Sequence, residues 1–254
     1  MLQDYKHFVG VNNRDLCFGY TKRLYGFSDY PKDAFNMALY INDDLNNVHK
    51  HQEILAKEID FQTENWVIPN QRHSNRVIEV TSKDKGTNVK TLSDKLMNVD
   101  AMYTYEKDIL LGMNYADCTP IFIYSMSDSF IGVAHAGWKG TKLEVLKELL
   151  NVYKGNIEDL RVIIGVAINK NSYEVDSNVV DGTWDIPSSA IDTHGDKYLL
   201  DLKEINRKQA MDFGLDESQI HVTHYGTEMD EFFSYRLEKG NTGRALGFIG
   251  RRSK

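Results

Sequence analysis

Short apolar runs separated by polar, turn-forming residues recur along most of the chain, and they predict a protein rich in β-strands. Runs of about four to eight residues with many β-branched and aromatic side chains are typical of strands. On this pattern we predict strands over residues 76–81, 108–115, 120–125, 129–136, 161–168, 220–224 and 245–250.

The spacing of an amphipathic helix is found instead over residues 43–59, 141–155 and 201–215. In the second of these segments, apolar side chains recur on one helical face and Gly155 stands where a C-terminal cap is expected. The third segment ends near Gly214, which is a similar stop signal. The polar residues 82–95 predict a surface loop or a short helix.

The order of these elements favours an α/β fold with a mixed β-sheet and helices packed on it, because strands outnumber helices and the two types are interleaved. Neither a low-complexity linker nor an internal repeat interrupts the pattern, so residues 1–254 are expected to form a single compact domain. With 41% hydrophobic residues, the chain can bury a substantial core.

Composition and charge narrow the class of protein. No run approaches the roughly 18 apolar residues of a membrane span, and the N-terminus does not resemble a secretory signal. Two cysteines, Cys17 and Cys118, are too few for a disulfide framework, so their chemistry is expected to be that of a thiolate or a metal ligand. A net charge of −7 argues against general nucleic-acid binding. We therefore predict a cytoplasmic protein without nucleic-acid or membrane partners.

The stretch SFIGVAHAGWKGT combines an apolar run, His135, and a turn between Gly137 and Gly140 that leads into the predicted helix. Such a strand end exposes a side chain at the edge of a sheet, and the following helix N-terminus offers free N–H groups to an anion. Two interpretations stay open here. Either His135 is functional, or it is a partly buried histidine and the glycines only permit the turn.

The stretch NYADCTPIFIYS places Asp117 and Cys118 between two predicted strands. A free cysteine is most often packed in the core, but it can also bind a metal or pair with a histidine as a thiolate. An aspartate is rarely buried without a partner, which favours a functional site at this position. His73, just before the strand at 76–81, carries little weight alone.

Taken together, three residues of metal-ligand type each border a predicted strand: His73, Cys118 and His135. Such ligands, gathered from separate strand ends with a fourth position left to water, are typical of a catalytic zinc site. Structural zinc sites use four ligands, often in close-spaced pairs. We therefore predict a zinc site at these three residues, with copper as the alternative occupant.

Seven motifs occur in the order found in the YfiH family: QRHSNRV, VDAMYT, ADCTPIFIYS, AHAGWKGT, SYEV, YLLDL and FFSYRLEKGNTGR. The opening FGYTKRLYGFS, followed by FNMAL, is similar to that family as well. The resemblance runs from about residue 17 to residue 250. This family was long labelled laccase-domain or polyphenol-oxidase-like, and its members are now understood as purine nucleoside phosphorylases.

The resemblance implies a single α/β domain in which the family's zinc ligands fall on His73, Cys118 and His135. It also implies phosphorolysis of adenosine, inosine and S-methyl-5′-thioadenosine, together with adenosine deamination. Arg23 stands at the position of the family's opening arginine and is a candidate for phosphate binding. Asn36 and Lys139 are candidates for the wall of the substrate pocket.

Within this scheme the catalytic residues are expected to be Asp117, Cys118 and His135. Asp117 is the candidate proton carrier, and the alternative is a structural carboxylate that fixes the turn at 116–120. The helix N-terminus after Gly140 is expected to stabilise the substrate anion together with the opening arginine.

Two other enzyme classes compete with this interpretation. A cysteine hydrolase would pair Cys118 with His135 and could act on a cell-wall precursor. A multicopper oxidase would need roughly ten histidines, mostly in H-x-H pairs. The chain has eight histidines and one such pair, His49 and His51, in a segment where a solvated helix face is expected. The oxidase is therefore the weaker alternative.

The chain departs from the family pattern at three places. GVAINKNSYEV lacks the usual proline and cysteines, Leu237 replaces a second arginine, and Gly226 replaces a cysteine. None of these positions is one of the three proposed zinc ligands, so the departures bear on substrate preference rather than on the metal.

Overall fold

The computed structural model describes residues 2–253. The α-helices there are α1 Leu45–Glu58, α2 Trp138–Lys142, α3 Val145–Asn151 and α4 Leu202–Phe213. The strands are β1 Gln3–Asp4, β2 Phe8–Asn12, β3 Leu16–Thr21, β4 Ser28–Asp29, β5 Lys32–Ala34, β6 Trp66–Val67, β7 Val77–Glu79, β8 Ala101–Thr104, β9 Ile109–Tyr115, β10 Thr119–Ser125, β11 Ile131–Ala136, β12 Leu160–Ile164, β13 Glu174–Val175, β14 Ile191–His194, β15 Lys197–Leu200, β16 Ile220–Val222 and β17 Ala245–Arg251. Single-turn 3₁₀ helices lie at Thr63–Asn65, Ser82–Asp84, Ile157–Asp159, Lys170–Ser172, Ser188–Ala190 and Glu217–Gln219.

Two six-stranded sheets form the centre of the fold. One has the spatial order β1-β2-β3-β17-β9-β6 and the other β16-β12-β10-β11-β8-β7. Both are mixed, because β6 pairs in parallel with β9 in the first sheet, and β16 and β7 pair in parallel with β12 and β8 in the second. A three-stranded sheet, β13-β15-β14, and the hairpin β4-β5 lie outside them.

The two large sheets pack face to face and are covered on their outer faces by helices. Side chains from both sheets share the central cluster, among them Phe18, Leu111, Phe122 and Val133. Residues of α3 and α4 join the apolar cluster on the outer face of the second sheet, and residues of α1 join the cluster on the first. Every residue of β9, β11 and β17 is buried, as expected for strands packed on both faces.

The predicted α/β class is confirmed, and all seven predicted strands are present. The single sheet expected from the sequence is instead a pair of stacked sheets. The first sheet was incompletely anticipated because β1–β3 and β6 were not predicted. Helices at 43–59 and 201–215 are observed as α1 and α4, and Gly214 caps α4 in the left-handed conformation with φ of 115°.

The continuous helix predicted over 141–155 is wrong. The chain forms α2 and α3 with a break at Glu144, which has φ of 58°. The Thr141 carbonyl, which a continuous helix would offer to the N–H four residues later, accepts instead from the Glu144 N–H at 3.0 Å and from Gln209 Nε2 of α4 at 2.9 Å. Gly155 lies beyond the end of α3 at Asn151, so it is not the helix cap that its position suggested.

Segment 82–95 is a loop with one 3₁₀ turn, as predicted, although Thr87 and Asn88 within it are buried. Among the helices of residues 2–253, none combines the length and apolar character needed to span a bilayer.

Candidate metal and substrate site

His73, Cys118 and His135 come together at one edge of the stacked sheets. Their potential ligand atoms all lie within 4.8 Å of one another, and His73 Nε2 is 3.9 Å from Cys118 Sγ. His135 is the penultimate residue of β11, and Cys118 immediately precedes β10, its partner strand. The site is open on one side, because His73 is exposed and Cys118 half-buried while His135 is buried. It is the one group of this kind in residues 2–253.

The carboxylate of Asp100 positions two of these three residues, His73 and His135. Its side chain is fully buried and accepts a hydrogen bond from His135 Nδ1 at 2.9 Å. Its two oxygens also accept from the backbone N–H groups of Arg72, His73 and Ser74. Because the Nδ1 proton of His135 is held by Asp100, Nε2 is the ring nitrogen left for a metal, as in the carboxylate–histidine pairs of known metal sites.

Unusual backbone conformations help to bring the ligands together. His73 has φ of 60° and Asp117 has φ of 83°, both in the left-handed region that non-glycine residues rarely occupy. The Asp100 carboxylate stabilises the first of these by binding three consecutive N–H groups. Gly137 supplies the space, since a Cβ atom there would lie 2.7 Å from Cys118 Sγ and 3.2 Å from the His73 ring.

The donor set and its spacing fit a bound metal ion. Zn–S and Zn–N bonds are about 2.3 and 2.0 Å long, so two ligands of one zinc ion lie about 3–4 Å apart. The ligand atoms observed here need only a small contraction to reach that spacing. A side chain at position 137 would occupy the space between Cys118 and His73, so glycine at this position leaves room for the ion.

Electrostatics couples the thiol to the imidazoles. Burial alone would raise the pKa of Cys118, but the charge of His135 and hydrogen bonds from both histidines lower it to about 6. Burial would lower the pKa of His135, yet the Cys118 thiolate and Asp100 raise it to about 9. The protein therefore favours the thiolate form that binds metals. By contrast, burial raises the pKa of Cys17 to about 12.

A cavity of about 760 Å³ opens next to the ligand group, and a smaller one of about 180 Å³ adjoins it. Both share His73, Cys118 and Trp138 as wall residues. The larger cavity extends from this end to an apolar region that includes Met37 and Leu92. Its size and its mixture of aromatic and polar groups are those of a small-molecule site.

Three guanidinium groups line the larger cavity: Arg72, Arg236 and Arg244. Throughout the described part of the chain, none of them has a carboxylate within ion-pair distance. Arg244 Nη1 donates instead to the carbonyls of Thr242 and Gly243, and its guanidinium lies over the Tyr235 ring. The cavity wall thus carries three arginines without a carboxylate partner in a protein of net charge −7.

Asp117 is the acidic residue of the cavity wall, and its carboxylate is fully engaged. Oδ1 accepts from the hydroxyls of Thr227 and Ser234 at 2.6 and 2.7 Å, and Oδ2 accepts from the Arg236 backbone N–H at 2.7 Å. These contacts tie the turn before β10 to the segment that carries Arg236. They support the structural alternative for Asp117 and leave its role as proton carrier a prediction.

The other predicted substrate residues are spread more widely. Lys139 lines the smaller cavity. Arg23 is not among the wall residues of either cavity, and its guanidinium donates to Glu238 at 2.8 Å. Asn36 is fully buried outside the wall, where its Oδ1 accepts from the backbone N–H of Arg244 at 3.0 Å. Asn36 thus does not line the cavity itself, but it positions the backbone of Arg244, which does.

The helix N-terminus predicted after Gly140 is misplaced. The helix α2 begins at Trp138, so Gly140 lies inside it, and α2 spans only five residues. His51 also differs from its prediction as part of a solvated helix face. It is fully buried, with Nδ1 2.7 Å from the Asn36 carbonyl and Nε2 accepting from the Phe27 N–H.

Several site residues were not predicted. Asp100, Arg72, Arg236 and Arg244 all lie in motifs quoted for the family resemblance, but nothing in their local sequence distinguishes them. For Asp100 the signal is spatial, because the register of β8 and β11 brings the residue before β8 next to His135.

Fold and site together define an α/β protein of two stacked sheets with an open His-Cys-His group, able to hold a metal ion, at the end of a substrate-sized cavity. The chain belongs to the family described as multi-copper polyphenol oxidoreductase laccase, which matches residues 17–252. The resemblance to YfiH proteins is thereby confirmed.

Relatives and solved structures agree with this assignment. The chain is 47% identical to a purine nucleoside phosphorylase of Staphylococcus saprophyticus, over 96% of this chain and 97% of the relative. It is 45% identical to a purine nucleoside phosphorylase of Staphylococcus aureus, over 92% and 91%. The structure matches YlmD from Geobacillus stearothermophilus with a TM-score of 0.92 and 33% identity, covering 99% of this chain and 98% of that one. The match to Bacillus licheniformis YfiH has a TM-score of 0.93 and 30% identity, covering 98% of both.

Proposed function

We propose that this protein is a zinc-dependent purine nucleoside phosphorylase that cleaves adenosine, inosine and S-methyl-5′-thioadenosine with phosphate, and that it also deaminates adenosine. The observation that carries the proposal is the open His-Cys-His group in the wall of a cavity that contains three guanidinium groups without carboxylate partners. The names of the staphylococcal relatives supply the substrate class. We place the enzyme in the cytoplasm, where two free cysteines are compatible with the redox conditions.

Phosphate is the substrate that the arginines suit best. Guanidinium groups form paired hydrogen bonds with phosphate oxygens, and an unpaired guanidinium has no competing anion to release. Arg72 adjoins His73, and Arg236 adjoins Tyr173, whose ring lies 5.1 Å from the guanidinium carbon. A phosphate held between these side chains would lie beside the metal ligands.

Phosphorolysis then requires positioning and charge stabilisation. An oxygen of phosphate forms a bond to C1′ of the ribose while the C1′–N9 bond breaks, and the purine leaves with the bonding electrons and takes up a proton. When bound, zinc would supply Lewis acidity toward an oxygen ligand. Asp100 keeps His135 in one tautomer and orientation, and the arginines hold the anion against the ribose.

Adenosine deamination would use the same residues with water in place of phosphate. Water adds at C6 and ammonia leaves, so a group must move a proton between them. Asp117 remains our candidate for this proton carrier because it lies in the wall next to Cys118. Its three hydrogen-bond donors would have to rearrange for it to act, and this makes deamination the more demanding of the two reactions.

The proposed function is tested by incubating the metal-loaded protein separately with adenosine, inosine and S-methyl-5′-thioadenosine, each with and without phosphate, and separating the products. We expect free purine bases and ribose 1-phosphates only when phosphate is present. We expect inosine from adenosine under both conditions. Release of bases at equal rates without phosphate would identify a hydrolase instead, and unchanged nucleosides would refute the proposal.

A cysteine hydrolase is the second candidate, favoured by the close approach of Cys118 to two imidazoles and by its lowered pKa. Thiol alkylation separates the two functions, with Cys17 as an internal control because it is buried and its pKa is raised. In the metal-stripped protein we expect iodoacetamide to modify Cys118 and spare Cys17. Stoichiometric zinc should protect Cys118. Rapid loss of activity by alkylation with zinc still bound would favour the hydrolase.

The family description raises a third possibility, a multicopper oxidase. A multicopper enzyme needs further histidine clusters besides a blue-copper centre, and within residues 2–253 the three ligands described above are the one group found. Elemental analysis of protein purified without added metal should give about one zinc per chain. Several copper ions per chain would overturn our assignment.

A further inference from the structure

Asn114 is an unusual residue in the cavity wall, because its side-chain amide has no partner. The residue is 7% exposed and lines the larger cavity. Its Oδ1 is buried from solvent and accepts no hydrogen bond. Its Nδ2 also has no protein partner in the described chain and is not buried in this way, so it is the end of the amide that faces the cavity. The N–H groups of Nδ2 are therefore available to donate to a ligand in the cavity.

The other amides of this wall are all occupied. Asn70 and Asn88 donate to backbone carbonyls of neighbouring loops. Gln71 forms a reciprocal pair with the Asn114 backbone, accepting from its N–H at 2.8 Å and donating to its carbonyl at 2.9 Å. This pair fixes the main chain of Asn114 and leaves only its side chain free. The wall therefore offers one preorganised amide to a ligand.

The face of the sheet that carries Asn114 adjoins an apolar part of the wall. Its cross-strand partner on β17 is Leu246, which points to the same face of the sheet and belongs to the apolar cluster that includes Met37 and Ile68. Met37, Ile68 and Leu92 are also wall residues of the cavity. A flat apolar ring with a hydrogen-bond acceptor on its edge suits this end of the cavity better than a phosphate or a sugar does.

We propose that Asn114 is a specificity-determining residue that donates a hydrogen bond from Nδ2 to N7 of the purine base. This inference rests on the proposed phosphorylase function and adds the position of the base. Asn114 lies four residues before Cys118, so their Cα atoms are at most about 14 Å apart. That distance allows a nucleoside to span from the metal ligands to Asn114.

N7 is the acceptor that this donor suits for two reasons. All the proposed substrates carry it, and side-chain amides commonly recognise the N7 edge of purines. As the C1′–N9 bond breaks, the bonding electrons move into the imidazole ring of the purine, and N7 shares the developing negative charge. A donor at N7 would then bind the leaving base more strongly than the intact nucleoside.

The test compares inosine with 7-deazainosine, in which a C–H group replaces N7. Binding to the zinc-loaded protein is measured by calorimetry without phosphate, so that neither ligand is turned over. We expect the wild-type protein to bind 7-deazainosine about 5-fold more weakly than inosine. Asn114→Ala should weaken inosine binding by about the same factor and change 7-deazainosine binding less than 2-fold.

Leu92→Ala is the matched control, because it removes an apolar wall side chain and should weaken the binding of inosine and of 7-deazainosine equally. If Asn114→Ala weakens both ligands equally, or neither, then Asn114 does not contact N7 and the inference fails while the phosphorylase proposal stands. Equal binding of inosine and 7-deazainosine by the wild-type protein would also rule out the N7 contact, without relying on a variant. If the wild-type protein binds neither ligand, the proposed function fails as well.

Discussion

His135→Ala is expected to abolish phosphorolysis and adenosine deamination together, each by about 1000-fold or more. His135 is the ligand that joins the proposed metal to the buried Asp100 carboxylate, and Nε2 is its one free ring nitrogen. A bound metal contributes several kcal/mol of charge stabilisation, and each 1.4 kcal/mol corresponds to about a tenfold change in rate. Rates with saturating adenosine, with and without phosphate, and zinc content per chain are the measurements.

A matched control is available at another histidine. His221 lies on β16 with its side chain exposed, far along the second sheet from β11, so His221→Ala should keep both activities and the zinc. If His135→Ala retains either activity at the wild-type rate, the metal plays no part in that reaction. If it loses activity but keeps full zinc content and affinity, His135 acts on the substrate rather than as a ligand.

Two of the three proposed ligands could be found from sequence because each borders a strand with a strong pattern, whereas His73 carried little weight alone. The strands at 120–125 and 129–136 are mostly apolar, so polar residues near their ends are expected at the edge of a sheet. His135 and Cys118 are such residues. Their neighbouring positions follow from the antiparallel pairing of β10 and β11, which pairs Pro120 with His135.

The residues that surround and position these ligands could not be found in the same way. Asp100 precedes β8, and it reaches His135 only because β8 pairs with β11, about thirty residues later in the chain. The arginines illustrate the same limit. Arg23 was selected for its place in the opening motif, yet its guanidinium pairs with Glu238, whereas Arg244 near the C-terminus lines the cavity.

The prediction of one continuous helix over 141–155 failed for a similar reason, because the interruption is not visible in the local sequence pattern. Its apolar spacing is helical on both sides of the break, and Leu146, Leu149 and Leu150 are buried as that spacing predicts. At the break the Thr141 carbonyl accepts from the Glu144 N–H, three residues later, and from Gln209 Nε2 of α4. Local pattern thus predicted which side chains are buried, but it did not predict the left-handed conformation of Glu144 that interrupts the helix.

Asp100→Asn is expected to lower zinc affinity by about 10- to 100-fold, which is typical of losing the carboxylate that orients a ligating histidine. The substitution keeps the volume of the side chain but removes the charge that binds His135 Nδ1 and the N–H groups of residues 72–74. Competition against a chelator of known affinity measures the change. Asp94→Asn is the control, because Asp94 is exposed in the loop before β8.

The same substitution should change how stability depends on pH in the metal-stripped protein. Burial would raise the pKa of Asp100, but hydrogen bonding and charge from His135 and the backbone N–H groups lower it from 3.8 to about 2. A carboxylate with a depressed pKa stabilises the folded state above its unfolded pKa, and this contribution, about 2 kcal/mol, is lost as the pH falls from about 5 to 2. Urea unfolding across this range should therefore show a smaller loss of stability for Asp100→Asn than for the wild-type protein. Equal pH dependence in the two proteins would mean that Asp100 is not held as a buried anion, and the orientation of His135 would then need another cause.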